Sequence, residues 1–320
     1  MRHGLIGLDI GERRIRAVQL DASGARVHRT LCIVRPPVGG ETLGDDECGR
    51  LADALDRLGF AGSRVSMVAP RAALCSSVLD LPPRATGAPI EKIAMGELAG
   101  RNRIDPERTE LALWSTGEPG SRNGTERIIA VACAHEKAEA YVAPLERAGL
   151  RVEGMIPPTI ALVQAMSVGR SHRIVLDLGW SSARVALVRD GLVLFDRAMQ
   201  DAGLARVFER VGETLGARAE ACEIAARRAG SPVERAINGE MEAFVRDLRR
   251  GVEEALGYGA KSARIDSPVE VCGGGAAIPA LVARLQSAIG REVRPIEMVV
   301  SETTLEPAFA SATGAARSEP

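Results

Sequence analysis

The sequence predicts an α/β protein built from two related halves. Three observations predict this class: an apolar strand pattern that ends in Asp-x-Gly occurs twice, strand-like and helix-like runs alternate, and a strand with three glycines leads into a helix near the end. The length of 320 residues suits about two domains.

The first observation is an internal repeat. The segments IGLDIGERRIRAVQL and IVLDLGWSSARVALV align without a gap at an offset of 168 positions, which places Asp9 on Asp177 and Gly11 on Gly179. Asp and Gly are ordinary turn residues, so two unrelated hairpins are the alternative. Similarity at so long an offset favours two related half-molecules that each begin with strand, turn and strand.

In the first half, GLIGLDI, RIRAVQLD and RVHRTLCIVR are predicted strands, LGDDECGRLADALDRLGF is an amphipathic helix, and RVSMVAP is again a strand. A compact α+β stretch extends from there to about residue 150. It contains the strands LCSSVLDL, ELALWS and RIIAVACA and the helices IEKIAMGELAGRN and KAEAYVAPLERAGL. RVEGMI is the next strand, and PPTIALVQAM begins a helix, where proline in the first turn sacrifices no hydrogen bond.

In the second half, RIVLDLG, ARVALVRDG and LVLFDRAM are predicted as three strands with short turns. The longest helix is predicted from about Val233 to Tyr258, because its apolar residues recur at helical spacing. The run VEVCGGGAAIPALVARLQSAIG then gives a strand, three glycines and a helix. Glycines at such a junction let a ligand approach the backbone, and the helix N-terminus attracts anions. It is not a Walker motif, and it lacks GxGxxG spacing.

Composition excludes several classes of function. Hydrophobic residues make up 46% and charged residues 26%, and the net charge of −1 argues against general attraction to nucleic acid or anionic lipid. No apolar run approaches the ~18 residues of a membrane span, and the N-terminus does not resemble a signal peptide. The six cysteines are spread singly and the four histidines show no ligand spacing, which favours buried, reduced thiols in a cytoplasmic protein over a zinc site.

Two Asp-x-Gly hairpins and a glycine-rich turn together indicate a phosphate site. If the hairpins face each other across a cleft, their turn N–H groups can cradle phosphates. Asp9 and Asp177 can then hold a hydrated Mg²⁺, which prefers one or two carboxylates plus waters. The turn Gly273–Gly275 would offer a flat surface to a base and ribose.

The order of these motifs resembles the actin-like ATPase superfamily over nearly the whole chain. The greatest likeness is to its PilM branch, from type IV pilus assembly, with FtsA as a related branch. It rests on VRDGLVLFDRAM, LRRGVEEALGYG, VCGGGAAIPALVARL and LEPAFASATGAAR. The resemblance implies an actin-like two-lobed fold of duplicated ribonuclease H-like halves, with an inserted α+β subdomain, called 1C, in the first lobe.

The same resemblance implies the domain boundaries. Residues 1–170 form the first lobe, with 62–150 as subdomain 1C. Residues 171–300 form the second lobe, with its helical part at about 203–262. Residues 301–320 return to the first lobe.

The resemblance also implies ATP and Mg²⁺ as ligands of the interlobe cleft. The implied nucleotide-binding residues are Asp9, Gly11, Asp177, Gly179, Ser181, Ser182, Glu223, Gly273, Gly274 and Gly275. Asp9 and Asp177 are the implied metal ligands. Glu223 lies where the family places a Glu near the ribose, whereas Ala226 or Arg227 stands in place of the family's Lys.

Four positions depart from the family pattern. Glu12 and Arg13 replace the Ser or Thr pair that faces the phosphates, and Trp180 stands where a small residue is usual. A carboxylate beside a triphosphate is repulsive unless Mg²⁺ or Arg13 compensates. Pro157 occupies the expected position of a water-positioning Glu or Gln and has no proton acceptor, so we expect weak or absent hydrolysis and assign no catalytic residue.

The resemblance implies a cytoplasmic scaffold that binds the cytoplasmic N-terminal tail of an inner-membrane pilus assembly protein, in a groove beside subdomain 1C. Closure of the lobes on nucleotide would modulate that binding through different tail affinities of the open and closed states. The protein would reach the inner membrane through its partner, without inserting directly. Nucleic acid is not an expected partner, and self-association stays open.

Two other classes of function remain. One is an ATP-hydrolysing enzyme or a small-molecule kinase of the same superfamily, which would need a carboxylate base that the sequence does not supply convincingly. The other is an FtsA-like or type II secretion scaffold. An FtsA-like protein should end in an amphipathic membrane helix, and the ending GAARSEP is too weakly apolar to anchor.

Overall fold

The computed structural model describes residues 3–36, 42–102, 104–120, 124–167, 169, 171–228, 230–259 and 265–318. Its first half contains β1 (His3–Ile10), β2 (Arg14–Asp21), β3 (Val27–Val34), α1 (Asp45–Arg57), β4 (Arg64–Val68), β5 (Leu74–Leu81), α2 (Ile90–Asn102), β6 (Thr109–Pro119), β7 (Glu126–Ala134), α3 (His135–Arg147), β8 (Arg151–Ile156) and α4 (Pro158–Ala165).

The second half contains β9 (Arg173–Leu178), β10 (Ala183–Arg189), β11 (Leu192–Met199), α5 (Leu204–Leu215), α6 (Ala219–Ala226), α7 (Pro232–Glu240), α8 (Glu242–Gly259), β12 (Val269–Cys272), α9 (Pro279–Ile289), β13 (Val293–Pro295), β14 (Met298–Val300), β15 (Thr303–Leu305) and α10 (Ala310–Arg317).

Two five-stranded sheets share one topology. Their strand orders are β3-β2-β1-β4-β8 and β11-β10-β9-β12-β13. In each sheet the first three strands pair antiparallel and the remaining two run parallel to the central strand. The sequence repeat therefore corresponds to a structural duplication.

Strand β1 reads as a continuous apolar run because both faces of its sheet are covered. Ile6 and Leu8 belong to a core that includes Leu51 of α1 and Leu145 of α3. On the other face α10 packs directly on the strand: a Cβ added at Gly7 would lie 2.0 Å from the carbonyl oxygen of Ala312.

Helices α4 and α10 lie in a core that the two halves share. Leu162 of α4 and Ala312 of α10 cluster with Val18 of the first sheet and Val175 of the second. The helices approach closely at Gly314, whose added Cβ would stand 1.7 Å from a carbonyl oxygen of α4. The lobes are thus joined by a packed interior beneath the cleft.

Subdomain 1C is a three-stranded sheet of order β5-β7-β6 with α2 on one face. Its central strand, β7, is apolar from Ile128 onward, and both faces of that part are covered. Ile128, Ala130 and Ala132 face α2, whereas Ile129 and Val131 join a separate cluster with side chains from α4 and β11.

The separate sheet of β5, β6 and β7, with α2, covers residues 74–134, inside the range of 62–150 predicted for subdomain 1C, and the bounds of the insert stay a prediction. Strand β4 is paired between β1 and β8 in the first large sheet. Leu145 of α3 lies in the core of that lobe. The flanking elements resemble the insert in composition, so only strand pairing and packing separate them.

The helix predicted from Val233 to Tyr258 is two helices, α7 and α8, that meet at Met241. Backbone bonds continue across the junction, from Met241 N to Ile237 O (3.1 Å) and from Val245 N to Met241 O (2.8 Å). Poor helix formers just before the junction, in the run AINGEM, favour a bend there.

The six cysteines are all free, as the sequence predicts, but Cys32 is exposed and Cys75 and Cys133 are only half-buried. Cys32 lies on β3, an edge strand with one face uncovered, which an apolar run alone does not reveal. Within the described ranges, no helix has the length and apolar character needed to cross a bilayer.

Candidate functional site

The first Asp-x-Gly turn joins β1 to β2. The strand register sets Asp9 directly opposite Arg16. A hydrogen bond of 2.9 Å from Gly11 N to Arg14 O closes the turn. The carboxylate at the strand end and the turn backbone therefore face the same side of the lobe.

The second turn, between β9 and β10, repeats this geometry. Asp177 lies opposite Arg184, and Gly179 N donates to Ser182 O at 3.1 Å. Leu204 N donates to Gly179 O at 3.2 Å, so the N-terminus of α5 is docked on the turn. The two turns are equivalent in backbone but differ in the side chains they present.

A cleft between the lobes brings the predicted residues together. Of these it is lined by Asp9, Gly11, Asp177, Gly179, Ser181, Ser182, Glu223, Gly273 and Gly274. Gly275 instead lies behind the wall, where an added Cβ would stand 2.6 Å from the Cβ of Leu178. Its role in the structure is therefore close packing, whereas the nucleotide contacts of the other residues stay predictions.

The cleft is narrow. Its volume is about 180 Å³, below the ~300–1,000 Å³ of usual small-molecule sites. Side chains from both lobes bridge it, and a nucleotide can enter only if those side chains move or the lobes separate.

Asp9 and Asp177 lie at the bottom of the cleft. Burial raises the pKa of Asp9 to about 6, and the charge of Asp177 adds to this, against the opposing effect of Arg16. Burial also raises the pKa of Asp177, although Arg71, Arg184 and Arg16 oppose it. Two poorly solvated carboxylates close together favour a cation between them.

Arginines meet these carboxylates in the structure, and the sequence interpretation did not assign them. Arg16 donates to Asp9 Oδ2 at 3.5 Å, and Arg71 lies in the cleft wall. One sequence signal indicates arginines at this site: the run ERRIR follows the first turn glycine directly, where the family has hydroxyl side chains.

Glu223 lies on α6 with a side chain only 3% exposed, held by two arginines. Arg14 of β2 donates to both carboxylate oxygens, at 2.8 and 3.0 Å. Arg227 donates to Oε1 at 2.8 and 2.6 Å. Burial works to raise the pKa of Glu223, but the Arg14 hydrogen bonds and the Arg227 charge outweigh it and keep that pKa below its usual range. A ribose hydroxyl would compete with Arg14 for this carboxylate.

A second bridge joins Arg13 of the first turn to Trp180 of the second. The guanidinium carbon lies 5.3 Å from the centre of the indole ring, a cation–π distance. Trp180 in turn stacks on Phe208 of α5, with ring centres 6.1 Å apart. The large residue at this position therefore anchors an interlobe contact.

Gly273 requires its lack of a side chain. Its φ is +75°, and an added Cβ would lie 2.3 Å from Asp177 Oδ1. Gly274 has open space: its added Cβ would meet nothing nearer than 3.8 Å. The bare backbone of Gly274 is thus available for the close approach of a flat ligand.

The donor set fits a nucleotide better than it fits Mg²⁺. Glycine turns from both lobes fit phosphates and a base, and Asp9 and Asp177 have the oxygen ligands that Mg²⁺ prefers. Arg16 already contacts Asp9, however, and the described part of the chain has no group of three or more His, Cys, Asp or Glu residues suited to a metal. At the start of α4, Pro157 and Pro158 supply no proton acceptor.

Comparison with known proteins gives no match to a family model. No curated protein matches the sequence. Among solved structures, the chain is similar to one described as the PilM–PilN type IV pilus biogenesis complex, with a TM-score of 0.80, 18% identity and 99% of both chains covered.

Two further structures are similar to the chain. The ethanolamine utilization protein EutJ from Carboxydothermus hydrogenoformans gives a TM-score of 0.62 at 16% identity, with 99% of this chain and 89% of that one covered. Component A of (R)-2-hydroxyglutaryl-CoA dehydratase from Acidaminococcus fermentans gives 0.50 at 11%, with 99% and 97% covered. At these identities the likeness shows the fold, and it confirms the predicted PilM-like, two-lobed actin-like architecture.

Proposed function

We propose that this chain is an actin-like scaffold of type IV pilus assembly. It binds the cytoplasmic N-terminal tail of an inner-membrane pilus assembly protein and is recruited from the cytoplasm to the membrane by that contact. The observation that carries the proposal is the end-to-end similarity to the structure described as a PilM–PilN complex, which covers 99% of both chains.

Subdomain 1C offers a surface for an extended tail. Strand β5 lies at the edge of its sheet, and Val78 on it is 50% exposed opposite the buried Ile129. Edge strands with a free apolar side chain suit an extended peptide, which can pair with the backbone and pack against that side chain. We place the tail against this side of subdomain 1C.

Nucleotide in the cleft is the proposed modulator of tail binding. Subdomain 1C is inserted in the first lobe but contacts the second: Arg127 of β7 donates to the hydroxyl of Tyr258 on α8 at 2.8 Å. Trp114 of β6 and Val193 of β11 belong to one apolar cluster. Subdomain 1C thus contacts both lobes. A change in the angle between the lobes therefore shifts it relative to one of them, which links the cleft to the tail surface.

The proposal is a nucleotide-responsive scaffold without rapid turnover. The turns around Gly11 and Gly179 would hold phosphates, and the bare turn at Gly274 would face the nucleoside. Neither proline at the start of α4 can act as a general base. Slow or absent hydrolysis is compatible with a switch whose output is partner binding.

The test is a fluorescence-anisotropy titration. A labelled peptide with the cytoplasmic tail sequence of the PilN-like protein from the same genome is titrated with the full chain, and a scrambled peptide serves as the reference. Val78→Asp should weaken binding about tenfold or more, because it places a charge in an apolar contact. Val299→Asp is the matched control, since Val299 is 58% exposed and lies on β14, outside subdomain 1C.

Two results would contradict the proposal at different levels. If the tail peptide binds no better than the scrambled one, the scaffold function is wrong. If the tail binds equally well with and without saturating nucleotide, the scaffold stands and the coupling between cleft and tail is refuted.

A further inference from the structure

We propose that the cleft holds the phosphate groups of its ligand with guanidinium groups in place of Mg²⁺, so that a nucleoside polyphosphate binds without a divalent cation. This inference rests on the proposed nucleotide site and specifies how that site recognises its ligand. Four arginines line the cleft around the phosphate turns, namely Arg13, Arg14, Arg16 and Arg71.

The first argument is that Arg16 occupies a carboxylate that a metal would use. Strand register sets Arg16 opposite Asp9, its guanidinium donates to Asp9 at 3.5 Å, and its side chain is only 10% exposed. A hydrated Mg²⁺ on Asp9 would have to displace this buried cation or lie beside it. Like charges at such short range in a poorly solvated cleft repel strongly.

The second hairpin shows that this pairing is not imposed by strand register alone. Arg184 lies opposite Asp177 in the same way, but its guanidinium turns to Asp196 at 2.5 Å and to Thr159 at 2.8 Å. Only in the first hairpin does the arginine stay on the carboxylate of its own turn. The chain thus places an internal cation specifically at the first phosphate turn.

The third argument is that Arg13 is a buried cation without a carboxylate partner among the described residues. It is 8% exposed, its Nη1 donates to the carbonyl of Arg35 at 3.2 Å, and its face rests on Trp180. Its Nε is buried and makes no hydrogen bond within the described structure. A phosphate oxygen would supply the missing acceptor and the missing negative charge.

The fourth argument concerns the cluster around Glu223. Arg14 and Arg227 share this single carboxylate, so the cluster keeps one net positive charge. This cluster and Arg13 together place fixed positive charge next to the glycine turns, and the carboxylate of Glu12 offsets part of it. Guanidinium groups bind phosphate bidentately and stay protonated at any pH the protein tolerates, so no metal is needed to neutralise the ligand.

The deciding measurement is calorimetric titration of the full chain with ATP, once in EDTA and once in millimolar Mg²⁺. We expect dissociation constants that agree within about threefold. Binding that appears with Mg²⁺ and vanishes in EDTA would overturn the inference and leave the nucleotide site intact. If ATP binds under neither condition, both the guanidinium inference and the proposed nucleotide site are wrong. The tail titration would still test the scaffold function separately.

Variants sharpen the test. Arg16→Met keeps an unbranched apolar stem and removes the guanidinium charge, so ATP affinity in EDTA should fall about tenfold. Mg²⁺ should restore it, because Asp9 is then released for the metal. Arg206→Met is the control, since Arg206 is exposed and pairs with Asp201 outside the cleft. Unchanged affinity of Arg16→Met in EDTA would contradict the inference.

Two further experiments keep the inference testable if the Arg16→Met variant does not fold: a titration with metal alone and a second variant. Mn²⁺ alone, followed by electron paramagnetic resonance, should not bind the wild-type chain; tight binding would refute the inference. Arg13→Met removes a cation without leaving a carboxylate unpaired, because Arg13 pairs with no carboxylate among the described residues. It should weaken ATP about tenfold with or without Mg²⁺, and an unchanged affinity would count against the guanidinium mechanism.

Discussion

The carboxyl group of Asp9 should lower the stability of the protein at neutral pH, and Asp9→Asn should relieve that cost. Burial, helped by the charge of Asp177, raises the pKa of Asp9 to about 6 despite Arg16. A raised pKa means that the folded state binds the proton more tightly than the unfolded state. The stability from this group is therefore complete below the unfolded value of 3.8 and is lost as the pH rises through about 6.

The magnitude follows from the size of the shift. A change from 3.8 to about 6 corresponds to roughly 3 kcal/mol at about 1.36 kcal/mol per unit. Asp9→Asn should therefore be more stable than the wild type by up to about 3 kcal/mol at pH 8 and by about half of that at pH 5. The opposing effect of Arg16 is already included in this shift.

The assay is urea denaturation of both proteins at pH 5 and pH 8, with the free energy of unfolding extrapolated to water. Asp201→Asn is the control: its carboxylate is exposed and pairs with Arg206, so the change should stay within about 0.5 kcal/mol at either pH. An Asp9→Asn variant that is no more stable at pH 8 would show that pairing with Arg16 outweighs burial. An advantage that does not shrink at pH 5 would show that it does not come from the ionisation of Asp9.

Three further experiments, each with one or two substitutions, test the cleft and the contact of subdomain 1C with the second lobe by denaturation and amide exchange. Gly273→Ala should cost about 2 kcal/mol or more, because of its positive φ and the clash of its Cβ, whereas Gly274→Ala should cost less than about 1 kcal/mol. Glu223→Gln should cost about 3 kcal/mol, because it leaves two partly buried guanidiniums without an anion. Adding Arg14→Met should cost less than additivity predicts. Tyr258→Phe should cost about 1 kcal/mol and speed amide exchange in subdomain 1C. Equal costs of Gly273→Ala and Gly274→Ala would contradict the argument from the glycine backbone. Strict additivity of Glu223→Gln and Arg14→Met would contradict the argument from the shared ion pair, and unchanged amide exchange in Tyr258→Phe would contradict the argument from the contact between subdomain 1C and the second lobe.

The duplication was predictable because its signals are local. Each half begins with an apolar strand that stops at Asp-x-Gly, and the offset that aligns Asp9 with Asp177 also aligns Arg16 with Arg184 across the hairpins. The cleft followed from placing the two turns face to face. The resemblance implies one role for all three glycines of the turn Gly273–Gly275, whereas packing distinguishes Gly275 from Gly274.

The arginine bridges of the site were not predictable from the sequence. Arg14 and Glu223 are 209 positions apart, and no local pattern pairs them. Arg127 and Tyr258 are 131 positions apart and join an insert of one half to a helix of the other. Such pairs depend on how the two sheets are oriented around the shared core.

The sequence by itself determined most of the elements, their order in each half and the turns that end β1 and β9, because strand alternation, helical periodicity and turn chemistry act over a few neighbouring residues. It did not separate α7 from α8 or indicate the three-residue strands β13, β14 and β15. Tertiary structure decided which charges meet. It set Arg14 and Arg227 on Glu223, kept Arg16 on Asp9 and seated subdomain 1C against the second lobe. The physical reason is that a buried charge pairs with whatever partner packing brings within a few ångströms, and that distance is a property of the folded lobes.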